Sequence, residues 1–152
     1  MKKIILAAVV GFTGLACTTG ALAGSDNKSF NVLVTLTSAC KLSTATDVNF
    51  GAYTSLQANP QPSSGGAFSV TCTNTMPYSL KFTSSAGGTT ASGTIASVAL
   101  AYTLGLSSVG GVGDGTAQAV NITGSMAANQ AGDCSVAGCF GSDMTQVLYV
   151  TY

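Results

Sequence analysis

The sequence predicts an all-β chain folded as an antiparallel sandwich of the immunoglobulin class. Three observations lead there. Short runs rich in Val, Thr, Tyr and Phe recur along the chain, turns bearing Gly, Ser, Asn and Pro separate them, and no segment carries a helical stripe of apolar residues. A length of 152 residues suits one domain of this kind. No stretch repeats at a fixed period, the Gly-rich run 109–115 included.

The first segment is read as a signal peptide over residues 1–23. Met1, Lys2 and Lys3 form a short positive head, residues 4–10 are apolar, and Ala21-Leu22-Ala23 before Gly24 has the small-x-small form of a leader-peptidase cut. Three rivals fit less well. As a membrane anchor, residues 4–23 are interrupted by Gly11, Gly14 and Gly20; as a lipoprotein signal, Cys17 lacks the Leu expected three positions before it; as a type IV prepilin, Gly11-Phe12-Thr13 lacks the following acidic residue and long apolar helix. The chain is therefore expected to be exported, meeting the membrane only through its leader.

The strands follow in order. Residues 30–37 alternate, with Phe30, Val32, Val34 and Leu36 on one face, which reads as a half-buried strand. Further strands are expected at 47–53, 67–74, 78–84, 94–106, 116–123 and 145–152, with 57–66 and 85–93 as separators. Cys40, Cys72, Cys134 and Cys139 remain once Cys17 leaves with the leader, and an even number in an exported chain points to two disulfides. Three connectivities are open, of which local pairing is the simplest. A zinc site is disfavoured because the chain has no His, and Cys134-x4-Cys139 is not a Cys-x-x-Cys redox motif.

Composition narrows function sharply. The chain has no His, Trp, Glu or Arg, and only 7% of its residues are charged. Without imidazole, Glu or guanidinium, no Ser, Thr or Cys acquires a credible base, and the chain is expected not to be an enzyme and to need no cofactor or metal. After the leader, Lys28, Lys41 and Lys81 face Asp26, Asp47, Asp114, Asp133 and Asp143, and 3 minus 5 gives −2. Nucleic acid is therefore not an expected partner. Asp114, between Gly113 and Gly115, reads as a turn residue before a calcium ligand. Asn121-Ile122-Thr123 reads as a strand end before a glycosylation site, and Tyr102, Tyr149 and Tyr152 as strand packing before a sugar platform.

The ends of the β region carry the most information: one amphipathic strand lies just before Cys40, and another, 146–152, runs to the last residue. With Asp47-Val48-Asn49-Phe50-Gly51, Phe68-Ser69-Val70-Thr71-Cys72, Leu100-Ala101-Tyr102-Thr103-Leu104, Gly113-Asp114-Gly115-Thr116 and the stretch 123–132, they follow an order and spacing that cover nearly the whole mature chain. In these features the chain resembles the spore coat U domain subunits of archaic (Csu-type) chaperone-usher pili. Phe140 within 138–143 stands where that family has its Gly-x-Tyr-x-Asp entry to the last strand.

The resemblance implies an incomplete immunoglobulin-like sandwich, 38–152, that lacks its last strand and is completed by donor-strand complementation. Residues 24–37 would be the donor segment, inserting Phe30, Val32, Val34 and Leu36 into a neighbouring copy while Asn31 and Thr35 face away; Leu33 departs from that polar outward face. The acceptor groove would lie beside Leu148, Val150 and Tyr152. Four buried apolar side chains supply on the order of 6–12 kcal/mol before ordering costs. Cys40 and Cys72 would join the first strand to the second, and Cys134 and Cys139 would pinch the stretch before the last. The implied partners are neighbouring pilin subunits in a head-to-tail homopolymer, a periplasmic chaperone and an outer-membrane usher. The implied setting is the periplasm in transit and then a surface pilus serving adhesion and biofilm formation. The alternatives are a tip adhesin or spore-coat-like surface protein, and a small secreted monomeric β-sandwich that binds a ligand.

Overall fold

The computed structural model describes residues 24–83 and 87–152, so the expected leader lies outside the described residues. The chain divides into two units, 1–35 and 36–152. The described part of the first contains no helix or strand, and Phe30, Val32, Leu33 and Val34 are 81–89% exposed. The expectation of a half-buried strand at 30–37 is corrected for the single chain. Alternation supplies a strand with an apolar face, but a strand also needs a ladder for its backbone groups, and residues 30–37 are paired with no strand.

The second unit is all-β. Its strands are β1 (Cys40–Leu42), β2 (Val48–Asn49), β3 (Gln61–Pro62), β4 (Ser64–Gly65), β5 (Ala67–Cys72) and β6 (Pro77–Phe82). They continue with β7 (Thr90–Ile95), β8 (Leu100–Leu106), β9 (Gly110–Val112), β10 (Gln118–Met126) and β11 (Leu148–Thr151). One sheet runs β1-β5-β10-β8-β7, with β3 also on β10; a second runs β11-β6-β9; β2 and β4 form a small third. All pairings are antiparallel. The long strand β10 curls the first sheet, because residues 118–121 pair with β5 while 122–126 pair with β8. The result is an immunoglobulin-like antiparallel fold.

Alternation builds the core. Phe68, Val70 and Cys72 on β5, Tyr78, Leu80 and Phe82 on β6, Tyr102 and Leu104 on β8, and Val120, Ile122 and Met126 on β10 are all buried, each two or four residues from the next on its strand. Among the described residues no polar or charged side chain is counted among the buried residues. Cys40 stands opposite Cys72 in the β1–β5 register, and the two are bonded. This link closes a loop of sequence separation 32, which in the chain-entropy view contributes roughly 3–4 kcal/mol.

Several elements differ from expectation for local reasons. The run 94–106 is not one strand: β7 begins at Thr90, inside the expected separator 85–93, and turns after Ile95 into β8. The turn between them is made without Gly or Pro: Val98 N donates to Ile95 O at 3.1 Å, and Ala99 takes φ 52°. The stretch 47–53 contains only β2, while 57–66 contains β3 and β4 and the Gly-rich run contains β9. Gly66 is required where β4 turns into β5. At φ +75°, a Cβ there would stand 2.8 Å from the carbonyl oxygen of Ile122, whose own N–H donates to Gly66 O at 2.7 Å.

The core predicts its own sensitivity. Leu80, 1% exposed, should cost about 2–5 kcal/mol on Leu80→Ala, and the pair Cys40→Ala with Cys72→Ala about 2–5 kcal/mol. Urea unfolding of the mature chain measures both, and losses under about 0.5 kcal/mol contradict this packing.

Candidate functional site

The site begins at a sheet edge. β11 pairs with β6 so that Leu148 faces Phe82, Tyr149 faces Lys81, Val150 faces Leu80 and Thr151 faces Ser79. On β6, Leu80 N donates to Val109 O at 2.9 Å and Phe82 N to Gly88 O at 2.8 Å, both on the side away from β11, whereas Thr83 N donates to Val147 O at 2.8 Å. Antiparallel alternation then directs the N–H groups of Leu148 and Val150 away from β6. Among the described residues no strand is hydrogen-bonded along that edge, although β1 approaches β11.

Below the edge opens a cleft of about 1030 Å³ within the second unit. Its floor is apolar core: Phe82, Leu104, Ile122 and Met126. Residues 45–53 form one wall, contributing Val48, Phe50 and Tyr53, and residues 131–148 contribute to the other. Of the expected acceptor residues, Leu148 and Val150 pack against the core, while Tyr152 lies beyond β11 and is 56% exposed. The expected donor residues Phe30, Val32, Val34 and Leu36 are all exposed.

The second wall has little regular structure and is fastened at separate points. Cys134 is bonded to Cys139, Asp133 N donates to Val98 O at 2.8 Å, and a Cβ on Gly141 would collide with Ile95, Ser97 and Val98. Farther along, Tyr102 Oη donates to Asp143 Oδ2 and accepts from Gln146 Nε2 at 3.1 Å, while Asp143 Oδ1 accepts from Thr145 N at 2.8 Å. Gly93 leaves the room this hydroxyl needs, since any Cβ there would strike it. Gln146 Oε1 is buried without a hydrogen-bond partner.

Electrostatics assign this cluster a holding role. Burial, and then the hydrogen bond to Asp143, push the Tyr102 phenol up to about 12, with Gln146 opposing. The hydrogen bonds from Tyr102 and Thr145 hold the Asp143 carboxyl below the usual carboxylate range. Each group is thereby moved away from neutral pH, the reverse of what general acid–base chemistry needs. Sequence reasoning missed this cluster, because Tyr102 and Asp143 lie 41 positions apart; it took Tyr102 as strand packing and named no partner.

Other sequence candidates fall elsewhere. Tyr102 is buried and Tyr149 and Tyr152 are exposed, so the three do not share one exposed platform. Asp114 accepts from both Thr116 N and Thr116 Oγ1 at 2.8 Å, an Asx-type turn that lowers its pKa. Among the described residues no cluster of three or more His, Cys, Asp or Glu is placed to hold a metal ion. Asn121 lies within β10, and Cys134 and Cys139 form the local pair.

The described residues thus form an antiparallel immunoglobulin-like fold with a largely apolar cleft bordering the strand β11. The Spore Coat Protein U domain family model matches residues 26–133, and the chain belongs to that family, one of pilus- or fimbria-type subunits. Comparison with curated proteins and with solved structures returned no match. The bonded pair Cys134–Cys139 and β11 lie beyond the matched stretch.

Tyr102 yields a pH prediction. With a folded pKa of about 12 against 10 for the ordinary phenol, the unfolded chain loses this proton first. The associated stability is complete below pH 10 and is lost as pH rises to about 12. Asp143→Asn removes the neighbouring charge and should move the Tyr102 pKa back toward 10, shrinking the alkaline loss. NMR titration of the Tyr102 ring, with urea midpoints across the same pH range, measures both; an unchanged Tyr102 pKa in Asp143→Asn contradicts the assigned pair.

Proposed function

We propose that this chain is an exported structural subunit of a surface pilus that polymerises by donor-strand exchange. Residues 30–36 of one copy enter the cleft of the next and pair along the free edge of β11. The observation that carries this reading is that open edge, with the Leu148 and Val150 amides turned outward and Leu148 bordering an apolar cleft. A strand laid there meets backbone donors for its carbonyls and an apolar floor for every second side chain, the two requirements of β-strand addition. Phe30, Val32, Val34 and Leu36 supply such a set, and in the single chain they remain exposed. An open edge over apolar surface is also an aggregation hazard, which gives a periplasmic chaperone its task before an outer-membrane usher delivers the subunit. The contact is head-to-tail, so it extends as a filament instead of closing into a ring.

In this reading the protein is not an enzyme and uses no cofactor, its partners are its own copies and the assembly machinery, and adhesion and biofilm formation are functions of the fibre. The test supplies residues 24–37 as a peptide to mature chain lacking that segment, with folding checked by circular dichroism. Slow-dissociating capture is expected, and a folded acceptor that ignores the peptide refutes the proposal. Val34→Asp or Leu36→Asp should abolish fibres in cells, whereas normal fibres from either variant reject the assigned face.

A further inference from the structure

Parity in the inserted strand leaves one residue unaccounted for. If Phe30, Val32, Val34 and Leu36 point to the cleft floor, then Asn31, Leu33 and Thr35 point the other way. Leu33, 89% exposed in the single chain, would still face water after insertion, between two polar residues. The acceptor carries an equally unexplained pair. Phe140 and Met144 border the cleft yet are 88% and 93% exposed, so they stand at its mouth and not on its floor.

Their presentation follows from how the wall is fastened. Phe140 sits between Cys139, bonded to Cys134, and Gly141, whose backbone is pressed against Ile95 and Val98. Met144 sits between Asp143, hydrogen-bonded to Tyr102, and Thr145, whose N–H is held by that same Asp143. Two large apolar side chains are thus held beside fixed backbone points with no apolar cover of their own. Leaving them in water forgoes the burial that their size offers.

We infer that the loop 134–144 is a clasp: Phe140 and Met144 of the acceptor close over Leu33 of the incoming strand from a second copy of this chain. The inference rests on the donor-strand reading above and assigns it a further, specificity-determining contact. The floor recognises even-numbered donor positions, while the clasp recognises the single apolar residue on the opposite face. Covering the strand from outside slows its release, because the clasp must open before the ladder can peel away. An intruding strand with a polar residue at the position of Leu33 would miss this cover.

The test uses the full mature chain with Val34→Asp, which disables its own donor segment, as acceptor, and synthetic peptide 24–37 as probe. Wild-type peptide should dissociate slowly. Leu33→Ser in the peptide should speed dissociation about tenfold, and Phe140→Ser with Met144→Ser in the acceptor should do the same. Combining both sides should give little beyond that factor, since they remove one shared contact. The peptide change leaves acceptor folding untouched, and the acceptor changes are at exposed positions. A Leu33→Ser peptide that leaves at the wild-type rate, or effects that multiply to about a hundredfold, overturn the clasp alone. Failure to capture even the wild-type peptide overturns the donor-strand reading and the clasp with it.

Discussion

The open edge of β11 above an apolar interior is the constraint on which the rest depends. β11 packs one face on the core, yet its backbone is hydrogen-bonded to β6 alone. The register decides which amides are left over: Leu148 and Val150, opposite Phe82 and Leu80, turn outward because β6 directs its own Leu80 and Phe82 amides toward Val109 and Gly88. The side chains of the same two residues pack on the core. One short strand therefore joins hydrophobic interior to unused hydrogen-bonding capacity, and the proposed polymer uses both together.

The remainder of the domain keeps that edge open without unfolding. The β5–β10–β8 portion of the first sheet and β6 of the second hold a continuous core, and the Cys40–Cys72 bond ties β1 to it. The wall opposite residues 45–53 is held by point attachments in place of a ladder: a short disulfide ring, the Asp133 amide on Val98, and Asp143 under Tyr102. Such a wall can be fixed in position while still bordering an unfilled space. The shifts of Tyr102 and Asp143 belong with this role, because both keep the charge state of that attachment unchanged around neutral pH.

What could be read from residues alone divides along physical lines. Strands with strict alternation and long ladders were legible: β5, β6, β8 and β10 fall within or beside the expected runs, because burial on one face imposes period two on the sequence. The turn at 96–99 was not, since Ala99 supplies a positive φ without the Gly that usually announces one. β9 hid in a Gly-rich run whose glycines disfavour a strand, and pairing with β6 overrides that deficit. At the site, the apolar parity of 30–36 and of Leu148 and Val150 was visible, whereas the Tyr102–Asp143–Gln146 cluster and the exposed Phe140 and Met144 were not. Those depend on which loop the fold brings against β8, and no local pattern encodes that. Residues 30–37 show the converse limit, where a clear strand pattern forms no strand in the single chain.

Amide hydrogen exchange at β11, compared between isolated subunit and assembled fibre, tests the central claim most directly. The account requires Tyr149 and Thr151, whose amides face β6, to be protected in both states, and Leu148 and Val150 to exchange rapidly in the subunit and slowly in the fibre. Equal, rapid exchange of Leu148 and Val150 in subunit and fibre alike would mean that no strand is added at this edge, and the account would be wrong.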